Sequence, residues 1–230
     1  MSRKTRRHLF VSLIVIALSL PVEGILLQAL SSSPRDVIRT WVSSLSLADL
    51  QEISHDLPAY PLDYRKAVMA QLTPKMRAAI WLEHIDRYIA AHPDLSSDAL
   101  PVLGALRTVI TPEMLGTPTA DVRAQVSSLA EQLSSVLGKD ETEYLLYRLG
   151  PRDGTFASAE PISHKLTNTV RGWIVVLANA GGCDCSTGSS FCAASSDCVS
   201  SSGCEVDDAW PMCGWLWSDP CDGSCGQRSS

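Results

Sequence analysis

The chain has 230 residues, 45% of them hydrophobic, and a net charge of -6. That is length for one ordinary domain plus a small module, with enough apolar material for a core. No basic stripe lies beyond the extreme N-terminus, which excludes a nucleic-acid partner, because phosphate binding needs a cationic footprint.

Residues 2 to 8, Ser-Arg-Lys-Thr-Arg-Arg-His, are cationic, and Leu9 to Leu20 is apolar apart from Ser12 and Ser19. Pro21 ends the run, and Val22-Glu23-Gly24 offers small residues to a signal peptidase, so residues 1–24 read as a signal peptide. The competing reading is a membrane anchor, a transmembrane helix over residues 9–30. Apolar character resumes at Ile25, Glu23 is the single charge of that stretch, and about 20 apolar residues span a bilayer. Both readings engage the export machinery and place the remainder outside the cytoplasm, secreted or membrane-anchored.

Residues 31–149 predict an all-α body, a bundle of short helices. Ser33-Pro34, Thr73-Pro74, Thr111-Pro112 and Thr117-Pro118 each join an N-capping hydroxyl to a proline suited to the first helical position. Val37, Ile38, Trp41, Val42 and Leu45 follow a helical spacing, and Ser46 opens another helix with Leu47, Leu50 and Ile53. Leu62 to Leu72 carries Ala67, Val68 and Leu72 on one side. The helix after Thr73-Pro74 predicts an apolar stripe of Met76, Ile80, Trp81, Ile85, Tyr88 and Ile89, and Pro93 stops it. Further helices are expected at Leu100 to Ile110, Ala120 to Leu137 (ended by Gly138) and Asp140 to Leu149 (ended by Gly150-Pro151).

Residues 150–182 break this composition and read as a linker and processing region. The apolar run from Trp173 to Ala178 is too short to span a membrane. It ends in Ala178-Asn179-Ala180-Gly181-Gly182. Ala178 and Ala180 make the small-residue pattern a signal peptidase accepts, and Gly181-Gly182 before a cysteine-rich peptide suits a double-glycine leader peptidase. A maturation protease is therefore an expected partner. The competing reading is a buried C-terminal helix followed by a Gly-Gly hinge.

Residues 183–230 hold all eight cysteines: Cys183, Cys185, Cys192, Cys198, Cys204, Cys213, Cys221 and Cys225. They also hold seven acids against one base, Arg228, and so account for the whole net charge. Ser, Thr, Gly and Asp fill the gaps and cannot build a core, so this small irregular module depends on disulfides. Eight cysteines allow 105 pairings, and spacing does not choose among them. Trp210, Trp215 and Trp217 form the module's large apolar cluster. Indoles combine large apolar area with a polar N–H, so the three are a candidate contact patch for a membrane interface or receptor, or alternatively a miniature core.

Cys183-Asp184-Cys185-Ser186-Thr187, the following six- and five-residue gaps and the later Cys213-Gly214-Trp215 resemble the fulvocin C type of bacteriocin. The resemblance extends more weakly to Leu72-Thr73-Pro74 and Arg77 to His84. It implies that the helical body is a leader or pro-domain and that the tail is an antibacterial peptide released near residues 180–183. The tail is acidic, whereas peptides that attack anionic membranes are usually cationic, each basic residue gaining about 1 kcal/mol near such a surface. Action through a specific tryptophan contact fits that charge better. The alternative function is a secreted or membrane-anchored cell-surface protein whose disulfide module is a permanent binding domain.

No enzyme, cofactor or metal is expected. The tail lacks paired Cys-x2-Cys knuckles and histidine, against zinc, and Cys-x-x-Cys beside a βαβ pattern is missing, against thiol redox catalysis. There is no Gly-x-Ser-x-Gly elbow and no Asp-x-Asp-x-Asp-Gly calcium loop around Asp207, Asp208, Asp219 and Asp222. His84 and His92 lie on similar sides of the strongest helix, where His92 suits the helix end. His55 and His164 stand alone in polar surroundings.

Overall fold

The computed structural model describes residues 34–150, 185–186, 196–200 and 213–227, without the side chains of residues 34–36, 196–197 and 225–227. The expected export signal or anchor, the expected processing residues Ala178, Ala180, Gly181 and Gly182, the cysteines Cys183, Cys192 and Cys204, and Trp210 lie outside the described residues. The chain divides into two compact units, one up to Trp41 and one from Val42 onward. Helix α1, Pro34–Ser43, reaches across that boundary in sequence.

The second unit is mainly helical. Ser46 caps α2, Leu47–His55, through a capping box: its hydroxyl accepts from the Asp49 N–H at 3.2 Å, and the Asp49 carboxylate accepts from the Ser46 N–H at 3.1 Å. A short 3-10 turn at Leu57–Ala59 leads to α3, Leu62–Gln71. Thr73 caps α4, Pro74–Ala91, with Pro74 at its first position. Then come α5, Ala99–Val109, α6, Pro112–Gly116, capped by Thr111, and α7, Ala120–Leu137, ended by Gly138 at φ 86°. Helix α8, Lys139–Glu143, runs into a π-helical turn at Tyr144–Arg148.

Three sequence expectations change. Thr117-Pro118 does not open a helix; Thr119 caps α7 instead, accepting from the Val122 N–H at 3.3 Å. The buried stripe of α4 is Ala78, Trp81, His84, Ile85 and Tyr88, so His84 replaces the partly exposed Met76, Ile80 and Ile89. The i, i+3, i+4, i+7 pattern from Trp81 to Tyr88 sets that face. The C-terminal module is not wholly irregular: β1, Ser196–Ser200, and β2, Gly223–Gln227, pair antiparallel, with Cys198 opposite Cys225 and Ser200 opposite Gly223.

Helix α5 packs on α7, α4 on α6, and α7 on α8. The core centres on Trp81, Ile85, Leu103, Leu106, Leu133, Leu145 and Leu146, all fully buried. Helix α3 is buried nearly all round, including Arg65 and Lys66 at 3% and 4% exposure. Among the described residues, no helix is long and apolar enough to cross a membrane.

Candidate functional site

The feature that joins tail to body is a small loop. Cys213 and Cys221 form a disulfide with Cα atoms 5.0 Å apart. Inside it, Cys213 and Asp219 exchange backbone hydrogen bonds of 2.8 and 3.0 Å. The chain must reverse between those two residues, and it does so through left-handed backbone at Gly214 (φ 69°), Leu216 (φ 56°) and Trp217 (φ 53°). Glycine suits the first, where an added Cβ would stand 2.3 Å from Asp219 Oδ2. For the two bulky residues this conformation is an outlier that costs about 1–3 kcal/mol each, so surrounding contacts must hold it.

The body supplies those contacts. The Trp217 indole is 1% exposed. It lies edge-on to Trp81 of α4 and to Tyr147 of the π-turn, with ring centroids 5.2 and 6.5 Å away. Its Nε1 donates to the Tyr147 carbonyl at 2.8 Å. Burying an indole removes about 200 Å² from water, about 5 kcal/mol as an upper figure. The Lys66 ammonium of α3 donates to the Tyr147 hydroxyl at 2.6 Å and lies 3.9 Å from Cys213 Sγ. On the far side of the loop, Arg123 Nε of α7 stands 3.0 Å from Asp219 Oδ1. That approach is an ion pair outside hydrogen-bond alignment, since the same Nε has no hydrogen-bond partner. Burial raises the Asp219 carboxyl above its usual range, Arg123 opposes the shift and Asp222 adds to it.

Beneath this socket, Arg65 ties the start of α3 to the end of the π-turn. Its guanidinium donates to the Tyr60 and Arg148 carbonyls and packs directly on Gly150, where a Cβ would collide with it. Burial and then Arg148 lower Arg65 to about 10, against an opposing effect of Tyr144. His84 packs near Trp81 and Tyr144, with centroids 6.1 and 5.4 Å away. Burial lowers it to about 4; a hydrogen bond to the Tyr144 backbone opposes this, and Arg87 and Arg65 add to it. His84 Nε2 and Trp81 Nε1 are buried without a hydrogen-bond partner. His92 takes the helix-end role, its Nδ1 2.8 Å from the Tyr88 carbonyl.

A second disulfide, Cys185–Cys198, fixes the base of the module. Cys185 and Gly223 exchange backbone hydrogen bonds of 3.3 and 3.2 Å. A Cβ on Gly223 would meet Cys198 Sγ at 2.6 Å, so glycine is required at that crossing. The disulfide framework is thus visible in two of its pairs.

An exposed contact patch does not describe Trp215 and Trp217 in the docked chain: they are 6% and 1% exposed. Compared with protein-family models, curated proteins and solved structures, the chain matches none. The site rests on its own geometry. Among the described residues, no group of three His, Cys, Asp or Glu side chains is placed to hold a metal. What the arrangement can do is grip and cover a cross-linked loop. Sequence reading missed the body's half of the grip, Lys66, Arg123 and Tyr147. The available signal was the cation pair Arg65-Lys66 between Tyr64 and Ala67, in a helix with no clear polar face.

Proposed function

We propose that the chain is the exported precursor of a disulfide-rich, fulvocin C-like antibacterial peptide, residues 183–230, freed by cleavage near residues 180–183. The helical body acts as a pro-domain that keeps the peptide folded and covered. The observation that carries this reading is the enclosure of Trp215 and Trp217: the large apolar side chains of this loop are buried in the intact chain. A producing cell needs its toxic peptide held in such a state until export. The Cys-x-Cys-Ser-Thr spacing and the Ala-Asn-Ala-Gly-Gly junction support it from the sequence. The precursor works outside the cytoplasm, secreted or membrane-anchored. Its partners are the export machinery, a maturation protease and, for the freed tail, a bacterial membrane or surface receptor. No catalysis, cofactor or metal is assigned to it.

Nonreducing mass spectrometry of culture supernatant tests the reading. The expected product begins near Cys183 and is lighter than its reduced form by about eight hydrogens, as four disulfides require. Full-length chain as the only secreted or membrane-bound species rules the precursor out. A second reading is favoured by the hydrogen bond from Trp217 to the Tyr147 carbonyl. A contact that completes the body's own terminal turn suits a permanent cell-surface protein with a disulfide-stabilised binding module, whose expected product is the uncut chain.

A further inference from the structure

We infer that cutting the chain between body and tail does not separate them: the body is a binding site for the oxidised Cys213–Cys221 loop, and the cut chain persists as a noncovalent complex. The inference rests on the precursor reading only in taking residues 180–183 as the place of cleavage.

Trp217 is held by Trp81 and Tyr147, Asp219 by Arg123, and Cys213 lies beside Lys66. These body residues come from α3, α4, α7 and the π-turn, so four separate elements close around one loop. A fully buried aromatic anchor beside a charged contact is the arrangement that dominates affinity between separate proteins. The disulfide and the paired Cys213 and Asp219 backbones keep the loop closed before it binds, which removes part of the ordering cost that a linear peptide would carry. The partner this surface fits is therefore a disulfide-closed loop with a deep tryptophan and an aspartate two residues later, as in this chain's own tail or that of a second copy. Release of the tail then requires a second event after cleavage, such as loss of the loop's disulfide or competition by a target.

The test uses the full chain with a site for a specific protease inserted between Gly181 and Gly182. After complete cutting, size-exclusion chromatography and native mass spectrometry at micromolar concentration are expected to find body and tail in one species. Trp217→Ala is expected to raise the dissociation constant by on the order of thirtyfold, the effect of removing a buried tryptophan anchor. Because that variant can compromise folding, Arg123→Glu serves beside it: Arg123 is 41% exposed on its side chain, and reversing its charge against Asp219 is expected to weaken the complex about tenfold. Separation of the cut wild-type chain into two species overturns the inference. So does a cut Arg123→Glu chain that binds its tail as tightly as wild type while Trp217→Ala also holds together. Neither result touches the precursor reading, which stands or falls on the mass of the natural product.

Discussion

The indoles of Trp217 and Trp81 meet edge to face, with centroids 5.2 Å apart and planes at 73°. One ring belongs to the buried face of α4 and the other to a cross-linked loop of the tail, so the two parts share one apolar centre. Edge-to-face pairs add about 0.5–1.5 kcal/mol beyond the area they bury. Trp217→Ala is expected to destabilise the whole unit by about 3–5 kcal/mol. Urea unfolding followed by far-UV circular dichroism checks this; a loss confined to the tail, with the helical transition unmoved, contradicts a shared core.

Opening the Cys213–Cys221 loop removes the cross-link that closes the turn carrying the left-handed Leu216 and Trp217. For a closed loop this short, the unfolded-state entropy alone is about 2–3 kcal/mol. The double variant Cys213→Ser, Cys221→Ser is expected to lose at least that and to shift tryptophan emission to the red as the indole reaches water. Unchanged emission shows that the socket holds the loop without its cross-link.

His84 gives the fold an acid limit. Burial lowers it to about 4, below the ordinary histidine value of about 6.5. Between those values the unfolded chain binds the proton and the folded chain does not, so stability falls as pH drops from about 6.5 to about 4 and this contribution levels off below. The size is on the order of 3 kcal/mol. His84→Phe is expected to flatten the difference between urea midpoints measured at pH 7 and pH 4.5. An equally steep loss in the variant places the acid sensitivity elsewhere.

Asp219 and Arg123 should respond unequally to truncation. Arg123→Ala leaves a buried carboxylate without its cation, and about 1–2 kcal/mol of stability is expected to go with it. Asp219→Asn removes the buried charge and leaves a half-exposed arginine that water can solvate, so its effect is expected to stay below about 1 kcal/mol. Raising the pH through the elevated range of Asp219 is expected to weaken the wild-type chain slightly, because the folded state holds that proton more tightly than the unfolded one. Thermal unfolding of the two variants across pH 4 to 7 reads out both effects; equal losses contradict the assigned burial.

Local signals made the helical body legible. Ser46 with Asp49, Thr73-Pro74, Thr111-Pro112 and Gly138 act on neighbours within a turn, and each stands at a helix boundary in the structure. Thr117-Pro118 misled because Thr117 closes α6, its N–H donating to the Glu113 carbonyl at 3.1 Å, and the hydroxyl of Thr119 caps α7 instead. That the tail carries disulfides was also readable from its cysteine content. The grip between the two parts was not. Lys66 meets Tyr147 across 81 residues, Trp217 meets the Tyr147 carbonyl across 70, and no periodicity encodes such pairs. The π-turn and the left-handed Leu216 and Trp217 follow from those distant contacts, since intrinsic preference opposes both.

The last turn of the body ends in carbonyls that no helical N–H can reach. Arg65 takes that of Arg148, and Trp217 takes that of Tyr147. One of the two donors precedes the turn in the chain and the other follows it by 70 residues. A chain emerging from the ribosome can therefore assemble most of the body early but cannot finish it until the tail has appeared and closed its loop. Completion of the helical body thus reports that the tail has arrived with its loop closed.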